Sequence, residues 1–341
     1  MITYSVIIPI YKTPIQLVLR SCNSVLKLKR NDIEIILVEA LDHGSSVFKD
    51  GDLPIGDLVH YFVADRPNVS DQRNLGIKKA GGKYLVFLDS DDYLSGSFFD
   101  LSDSLLKQYQ NADLIAYSYS SNDISDEVKL DSNGLKILSS VPMIYGLFCN
   151  PGKKSSFFIQ KSMCSKVVRR SIVQEHSLAF NSDLPNSEDH MFLLKLLPFC
   201  HFVLAAPDCA LYHYSLTGGS SVFDPQKNTP EMYGRIIRFW EANVLSSANG
   251  KLTYDSLCSN ICFVYLPRMM SYFFCSLHRG DSKKHSYVLF HELLRTESYR
   301  SAISHCHYSW SSTTKKAFQL FLLKTRQFHF YFNLFWKIYH R

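Results

Sequence analysis

Five runs within the first 120 residues are predominantly apolar instead of alternating: Ser5–Ile10, Ile33–Val38, Val59–Val63, Tyr84–Leu88 and Leu114–Tyr117. A strand that is apolar on both faces has to be covered on both, which is the situation of a parallel sheet packed between helices. The segments between the runs supply those helices. In Pro14–Leu28 the residues Leu17, Val18, Cys22, Val25 and Leu26 recur at helical spacing, and Pro14 suits a first turn. Ser70–Ala80 reads as a helix with Ser70 as N-cap and Gly81-Gly82 as its stop. Phe98–Tyr109 and Ser187–Leu197 read as two more, the second with Glu188 and Asp189 in its first turn. The expected class is α/β, a mainly parallel sheet flanked by helices.

A chain of 341 residues can bury one large core and carry an appendage. Residues 1–224 hold 21 Lys and Arg against 25 Asp and Glu, whereas residues 225–341 hold 16 against 6. The pattern also turns helical, aromatic and basic near Pro225, so the expected domains are 1–224 and a helical C-terminal extension, 225–341. The stretch Ser120–Ser162 is polar and irregular and reads as an insertion on the acceptor side. The nine cysteines are scattered without a CxxC pair, which favours reduced thiols and a cytoplasmic protein. Cys258 and Cys262 read as core residues, and His305-Cys306-His307 lacks the spacing of a zinc site. Val6-Ile7-Ile8 is too short for a secretory signal and is followed at once by Pro9. Pro267-Arg268 splits the apolar stretch Cys258–Leu277, which argues against a spanning helix. The basic C-terminal region carries no recognisable nucleic-acid motif, so nucleic acid is not an expected partner.

Three segments carry chemistry. Leu85-Val86-Phe87-Leu88-Asp89-Ser90-Asp91-Asp92 sets three carboxylates at the carboxyl end of a buried strand, where open α/β sheets bind ligands. Such crowding costs energy unless a cation sits among the charges. Hard oxygen ligands suit Mg2+ or Mn2+, which would also neutralise a diphosphate. The plainer alternative is a solvated acidic turn that caps the next helix. Glu188-Asp189 offers a carboxylate able to deprotonate a hydroxyl, or simply acids favoured in a helix's first turn. Arg73-Asn74-Leu75-Gly76 feeds a basic residue toward the acidic strand end, to hold a phosphate or a base, or else lies on a solvated helix face.

Taken together these segments resemble the inverting family 2 glycosyltransferases of the GT-A fold, bacterial surface-polysaccharide enzymes in particular. The opening Ser5-Val6-Ile7-Ile8-Pro9-Ile10-Tyr11-Lys12, the helix end Ser24-Val25-Leu26 and Arg73-Asn74-Leu75-Gly76-Ile77 are similar to that family's text. So are the step Gly82-Lys83-Tyr84 into Leu88–Asp92, the segment Ser165–Arg170 and the Glu-Asp motif of Ser187–Phe192. Order and spacing agree over roughly residues 3–222. The family usually shows Val-Asp-Asp-Gly-Ser after its second strand, where this chain has Val38-Glu39-Ala40-Leu41-Asp42-His43-Gly44-Ser45. Either Glu39 or Asp42 is placed to meet the base, and the nucleotide, usually UDP in this family, stays open.

The resemblance implies roles for individual residues. Pro9 and Tyr11 would flank the base, with Glu39, Asp42 and Arg73 also on the nucleotide, and Asp89 would contact the ribose. Asp91 would bind Mg2+ or Mn2+ beneath the diphosphate, with His213 a candidate second ligand, although a lone histidine beside tyrosines is more often a packed core residue. Asp189 would be the catalytic base, with Glu188 orienting it or the acceptor. The implied partners are a nucleotide-sugar donor and a glycan or lipid-linked glycan acceptor. A sugar nucleotidyltransferase would carry a Gly-rich loop after the first strand, and Pro9–Thr13 has no glycine. A scaffold that has lost catalysis is opposed by intact Asp91 and Asp189. Finally, residues from about Thr313 to Arg341 read as one long helix, with Arg326, His329, Asn333, Lys337 and His340 on one face and aromatics over much of the rest. Such a helix suits an anionic membrane at the inner face of the cell membrane, or packing on the catalytic domain or on a second copy in a homodimer.

Overall fold

Each of the five apolar runs forms a strand. The computed structural model describes residues 1–49, 56–130, 134–139, 162–184, 186–215, 228–243, 250–275, 282–310 and 313–339. In chain order the elements are β1 (Tyr4–Ile10), α1 (Ile15–Leu26), β2 (Ile33–Ala40), β3 (Val59–Ala64), α2 (Val69–Lys79), β4 (Tyr84–Phe87), β5 (Tyr93–Leu94) and α3 (Phe98–Gln108). Then come β6 (Leu114–Ser120), β7 (Lys136–Leu138), β8 (Lys166–Arg169), α4 (Arg170–Glu175), α5 (Glu188–Leu196) and β9 (Val203–His213). The sheet runs β3-β2-β1-β4-β8-β6-β9-β5, with β7 also on β9. β3, β2, β1 and β4 are mutually parallel, as are β6 and β9, while β8 runs antiparallel between β4 and β6. Every residue of β1 and β2 is buried, as strands covered on both faces must be.

Two glycines set how closely the layers approach. A Cβ on Gly76 would collide with the Ile7 side chain, so α2 can lie directly on β1. A Cβ on Gly82 would stand 2.7 Å from the Ser5 nitrogen, and the Gly82 N–H instead donates to Ser5 Oγ at 2.8 Å. The buried Glu34 accepts from Ser5 Oγ and from the Gly81 and Gly82 N–H groups, which satisfies a carboxylate that would otherwise be costly inside a sheet. The N-cap of α2 is Asn68, not the expected Ser70: its side chain accepts from the Ser70 and Asp71 N–H groups. The expected insertion at 120–162 falls largely outside the described residues. Within its described part Asp126 accepts from Lys27 at 2.9 Å and from the Gly96 N–H at 3.1 Å.

The described residues form two compact units, one built on the sheet and one holding the helices that follow it. The boundary expected between residues 224 and 225 lies outside the described residues. The second unit contains α6 (Pro230–Asn243), α7 (Gly250–Asn260), α8 (Leu266–Cys275), α9 (Lys283–Arg295), α10 (Glu297–His305), α11 (Thr314–Lys324) and α12 (Phe328–Tyr339). A π-helical turn, Ile261–Tyr265, joins α7 to α8 just before Pro267, whose missing N–H and bulky ring a regular α-turn accommodates poorly. No helix among the described residues is long and apolar enough to cross a membrane.

The single long helix expected from Thr313 does not form; α11 and α12 are separate. Arg326 takes the left-handed conformation (φ 58°). The Arg326 N–H bonds to the Leu323 carbonyl and the Gln327 N–H to the Leu322 carbonyl, the paired bonds of a Schellman stop.

Candidate active site

Close packing of α2 on β1 carries Arg73, one turn before Gly76, to the carboxyl ends of the strands. Its side chain is only 4% exposed. Nη1 donates to Glu188 Oε1 at 2.9 Å and to Asp189 Oδ1 at 2.6 Å, and Nη2 donates to Asp89 Oδ1 at 2.9 Å. The guanidinium lies 5.3 Å from the Phe180 ring centre. Burial alone would favour loss of its proton. The charges of Asp189, Asp89 and Glu188 more than reverse that and hold it cationic. Three carboxylates of the protein thus take both terminal nitrogens of Arg73, the residue expected from the sequence to hold a phosphate or a base.

Asp189 sits in the first turn of α5, directly after Ser187, whose left-handed backbone (φ 64°) turns the chain into the helix. Its second oxygen accepts from the Met163 N–H at 3.2 Å. Burial raises its pKa to about 7, with Glu188 and Asp89 pushing the same way against Arg73. A carboxylate poised near neutrality is the tuning that a general base requires.

The carboxylates after β4 divide into separate roles. Asp89 is shared between Arg73 and the Cys164 thiol, which lies 3.4 Å from Oδ2. Asp92 is buried, and accepts the Tyr212 hydroxyl at 2.6 Å and the Ser215 N–H at 2.7 Å. Burial and then the charge of Asp89 raise its pKa to about 7. Asp92 thus fastens the acidic turn to the end of β9. Asp91 lies between them, and its carbonyl accepts from Arg20 Nη2 and Ser215 Oγ, each at 2.5 Å. His213 pairs with Tyr93 across β5 and β9 and stacks on its ring at 4.2 Å. Burial, then Arg20, pushes the His213 pKa below the ordinary value, which leaves the imidazole neutral.

Ser215 therefore links Asp91 to His213: its Oγ is also 3.5 Å from His213 Nδ1. A carboxylate and a neutral imidazole are suitable donors for a divalent cation. Among the described residues no three His, Cys, Asp or Glu side chains form a complete cage. Any divalent cation held by this pair would draw most of its ligands from a diphosphate and water.

At the other end of the site, the Gln72 amide donates to the Ile10 carbonyl at 2.7 Å and the Val38 carbonyl at 2.8 Å, tying the ends of β1 and β2 together. β1 stays buried through Pro9 and Ile10, and Tyr11 is exposed just beyond it. Lys12, in a left-handed conformation, reaches Asp42 at 3.1 Å. Glu39 is fully buried: its carboxylate accepts from the Ser46 hydroxyl, the Val47 N–H and the Tyr61 hydroxyl, each at 2.6 Å. Glu39, one of the two acids expected to meet the base, here braces the loop that follows Asp42. Asp42 itself, with 38% of its side chain exposed, is the acid accessible at this end.

Residues 5–176 match the family model of glycosyl transferase family 2. The chain belongs to that family. It is a glycosyltransferase. EpsH of Bacillus subtilis (strain 168), named as a glycosyltransferase, is 25% identical over 278 residues, which cover 76% of each protein. The crystal structure of Staphylococcus aureus TarS 1–349 in complex with UDP-GlcNAc superposes with TM-score 0.58 at 16% identity, over 99% of this chain and 92% of that one. The mannosyltransferase PcManGT of Pyrobaculum calidifontis, solved with GDP-Man and Mn2+, gives TM-score 0.53 at 10% identity over 94% and 86%. These structural likenesses establish the GT-A fold.

Two residues of this site carried no signal in the sequence: Cys164 acts through a distant partner, and Arg20 lies on a helix face where arginine is ordinary. Tyr212 and Ser215 join the acidic turn to the end of β9 through contacts more than a hundred residues apart. Lys166 did stand in a segment similar to the family's, and the structure gives it a physical task. It is fully buried on β8, and its ammonium donates to the Ser162 carbonyl at 2.5 Å and the Cys164 carbonyl at 3.3 Å. It thereby holds the turn that presents the Met163 N–H to Asp189 and the Cys164 thiol to Asp89. Burial lowers its pKa to about 8.

Proposed function

We propose that this glycosyltransferase moves a sugar from a nucleotide-sugar, UDP-linked by preference, to a hydroxyl of a glycan or lipid-linked glycan during surface-polysaccharide synthesis, with inversion at the anomeric carbon. The observation that carries the reading is the gathering of Asp189, Glu188 and Asp89 on one buried guanidinium at the carboxyl end of the sheet. Asp189 takes the acceptor hydroxyl's proton, a contribution of about 10²–10⁴-fold in rate. Glu188 shares Arg73 Nη1 with it and fixes the direction in which that carboxylate points. Pro9 and Tyr11 flank the base, Asp42 meets its edge and Asp89 the ribose. Asp91 and His213 would hold Mg2+ or Mn2+, whose charge would stabilise the departing diphosphate. A single base acting on the face opposite the leaving group gives inversion, without the pair of catalytic carboxylates that glycoside hydrolases use. Support comes from the solved relatives, which hold UDP-GlcNAc in one case and GDP-Man with Mn2+ in the other. A Staphylococcus aureus relative is itself named as a poly(ribitol-phosphate) beta-N-acetylglucosaminyltransferase. The test is a thermal-shift screen of UDP-, GDP- and dTDP-sugars with Mn2+, since ligand binding raises apparent stability. UDP-sugars are expected to give the largest shift, and no shift with any of them would refute the donor class.

The second unit supports a cytoplasmic enzyme held at an anionic membrane face. No acidic residue follows Glu297, while Lys315, Lys316, Lys324, Arg326 and Lys337 lie on or beside α11 and α12. On α11, Phe318 and Phe321 are both about half exposed and stack on each other. Exposed aromatics beside uncompensated basic residues match the chemistry of an anionic lipid surface.

A further inference from the structure

We propose that Arg20 is a positioning residue that latches Asp91 and His213 into one arrangement for the donor-linked cation. The inference rests on the metal reading above and assigns a task to a residue outside the acidic motif. Arg20 lies on α1, a helix fixed to the sheet by buried Val18 and Cys22. Its Nη2 donates both to the Asp91 carbonyl at 2.5 Å and to Ser215 Oγ at 2.7 Å. The guanidinium also lies 5.1 Å from the centre of the Tyr93 ring, whose stacking partner is His213. One side chain thus joins the turn after β4 to the end of β9, segments more than a hundred residues apart in the chain.

The hydrogen bonds around Ser215 extend the latch toward the histidine. A hydroxyl has one proton to donate and two lone pairs to accept with. Ser215 Oγ gives its proton to the Asp91 carbonyl and accepts one from Arg20. Its remaining lone pair faces His213 Nδ1, 3.5 Å away, while His213 Nε2 lies on the other side of the ring, 3.9 Å from the exposed Asp123 carboxylate. Without Arg20, the Ser215 hydroxyl loses the donor that occupies one lone pair, and the Asp91 turn, Ser215 and the Tyr93–His213 stack are no longer held together by one side chain. Losing a group that orients metal ligands typically weakens metal affinity about 10–100-fold.

The sign of the effect separates this role from simple electrostatics. A cation beside a metal site repels the metal, so a bystander arginine would raise Mn2+ affinity when removed. Free Mn2+ is titrated into the full chain in the presence of UDP and followed by its electron paramagnetic resonance signal, for the wild type, Arg20→Ala, Arg20→Lys and Ser215→Ala. Arg20→Ala is expected to weaken Mn2+ binding at least about tenfold with little change in Tm, because the side chain is exposed. Arg20→Lys is expected to recover part of the loss, since an ammonium can serve the same two acceptors without the planar fork. Ser215→Ala should weaken binding in the same direction, and decides the matter should Arg20→Ala fail to fold. Unchanged or tighter Mn2+ binding by Arg20→Ala and Ser215→Ala, beside a wild type that binds, overturns the latch alone. A wild type that binds no Mn2+ with UDP present overturns the metal reading and the latch with it.

Discussion

Replacing Asp189 by Asn changes charge with almost no change in shape, so its consequences follow from the geometry around one carboxyl group. Arg73 keeps Asp89 and Glu188 as anionic partners, at 2.9 Å each, and the guanidinium therefore stays compensated. The amide oxygen can still accept from Arg73 or from the Met163 N–H. What is lost is the base: kcat should fall about 10²–10⁴-fold, equivalent to about 3–5 kcal/mol of barrier. UDP affinity should hold, since no proposed donor contact is removed. The pH dependence follows from the same residue. With a pKa of about 7, Asp189 is ionised above neutrality, so the wild-type rate should rise with pH through 7 and then level off. Below that value it should fall about tenfold per pH unit. Stability has the opposite sign. The folded state holds this proton more tightly than the unfolded chain, whose carboxyl titrates near its ordinary value of 3.8. The stabilisation is full below that value and is lost as pH rises through about 7. At alkaline pH Asp189→Asn should consequently melt no lower than the wild type. The assay is UDP release across a pH series, with Tm measured on the same samples. A wild-type rate in Asp189→Asn, or an acid limb near pH 4 in the wild type, would refute the assignment.

Two further outcomes are expected. Asp42→Ala should weaken UDP binding with little effect on Tm, whereas Glu39→Ala, which strands the Tyr61 hydroxyl and the Val47 N–H, should lower Tm as well as affinity, as loss of a buried acceptor costs about 1–3 kcal/mol per unsatisfied group; calorimetry and thermal melts separate them, and a Glu39→Ala variant of unchanged Tm contradicts the support role. Phe318→Asp with Phe321→Asp should abolish co-sedimentation with anionic liposomes at low salt while UDP binding is retained; a change in oligomeric state with no liposome binding by the wild type would assign that face to a second copy.

How far the sequence foretold this molecule depended on whether the deciding interactions were local. β1 and β2 were legible because strands covered on both faces are built mainly of apolar residues; in β2 the exceptions, Glu34 and Glu39, are buried but hydrogen-bonded. β8 was legible only through its likeness to the family's strand segment, because Lys166 and Arg169 bracket just two apolar residues; carbonyls of the preceding turn receive the buried Lys166 ammonium. Asn68 took the cap from Ser70 through two side-chain bonds that a propensity reading weighs equally. The acidic motif and Asp189 stood out as residue types. Their connection through Arg73 spans 115 residues to Glu188 and 116 to Asp189, and no local pattern encodes it. Glu39 and Asp42 stood as alternatives for a related reason: the end of β2 suits a base-reading acid, and the burial of Glu39 under the returning loop at Ser46 and Val47 is visible only in the structure. The break between α11 and α12 escaped notice because the left-handed position is filled by Arg326 where glycine is the usual signal.

The central claim is that the acidic turn after β4 is a cation-assisted donor site. Calorimetric titration of UDP into the wild type with Mn2+, into the wild type with excess EDTA, and into Asp91→Ala with Mn2+ tests it most directly. The account predicts binding in the first case and a large loss of affinity in the other two, with Asp91→Ala indifferent to added Mn2+. Equal affinity in all three titrations, or full turnover in EDTA, would contradict it.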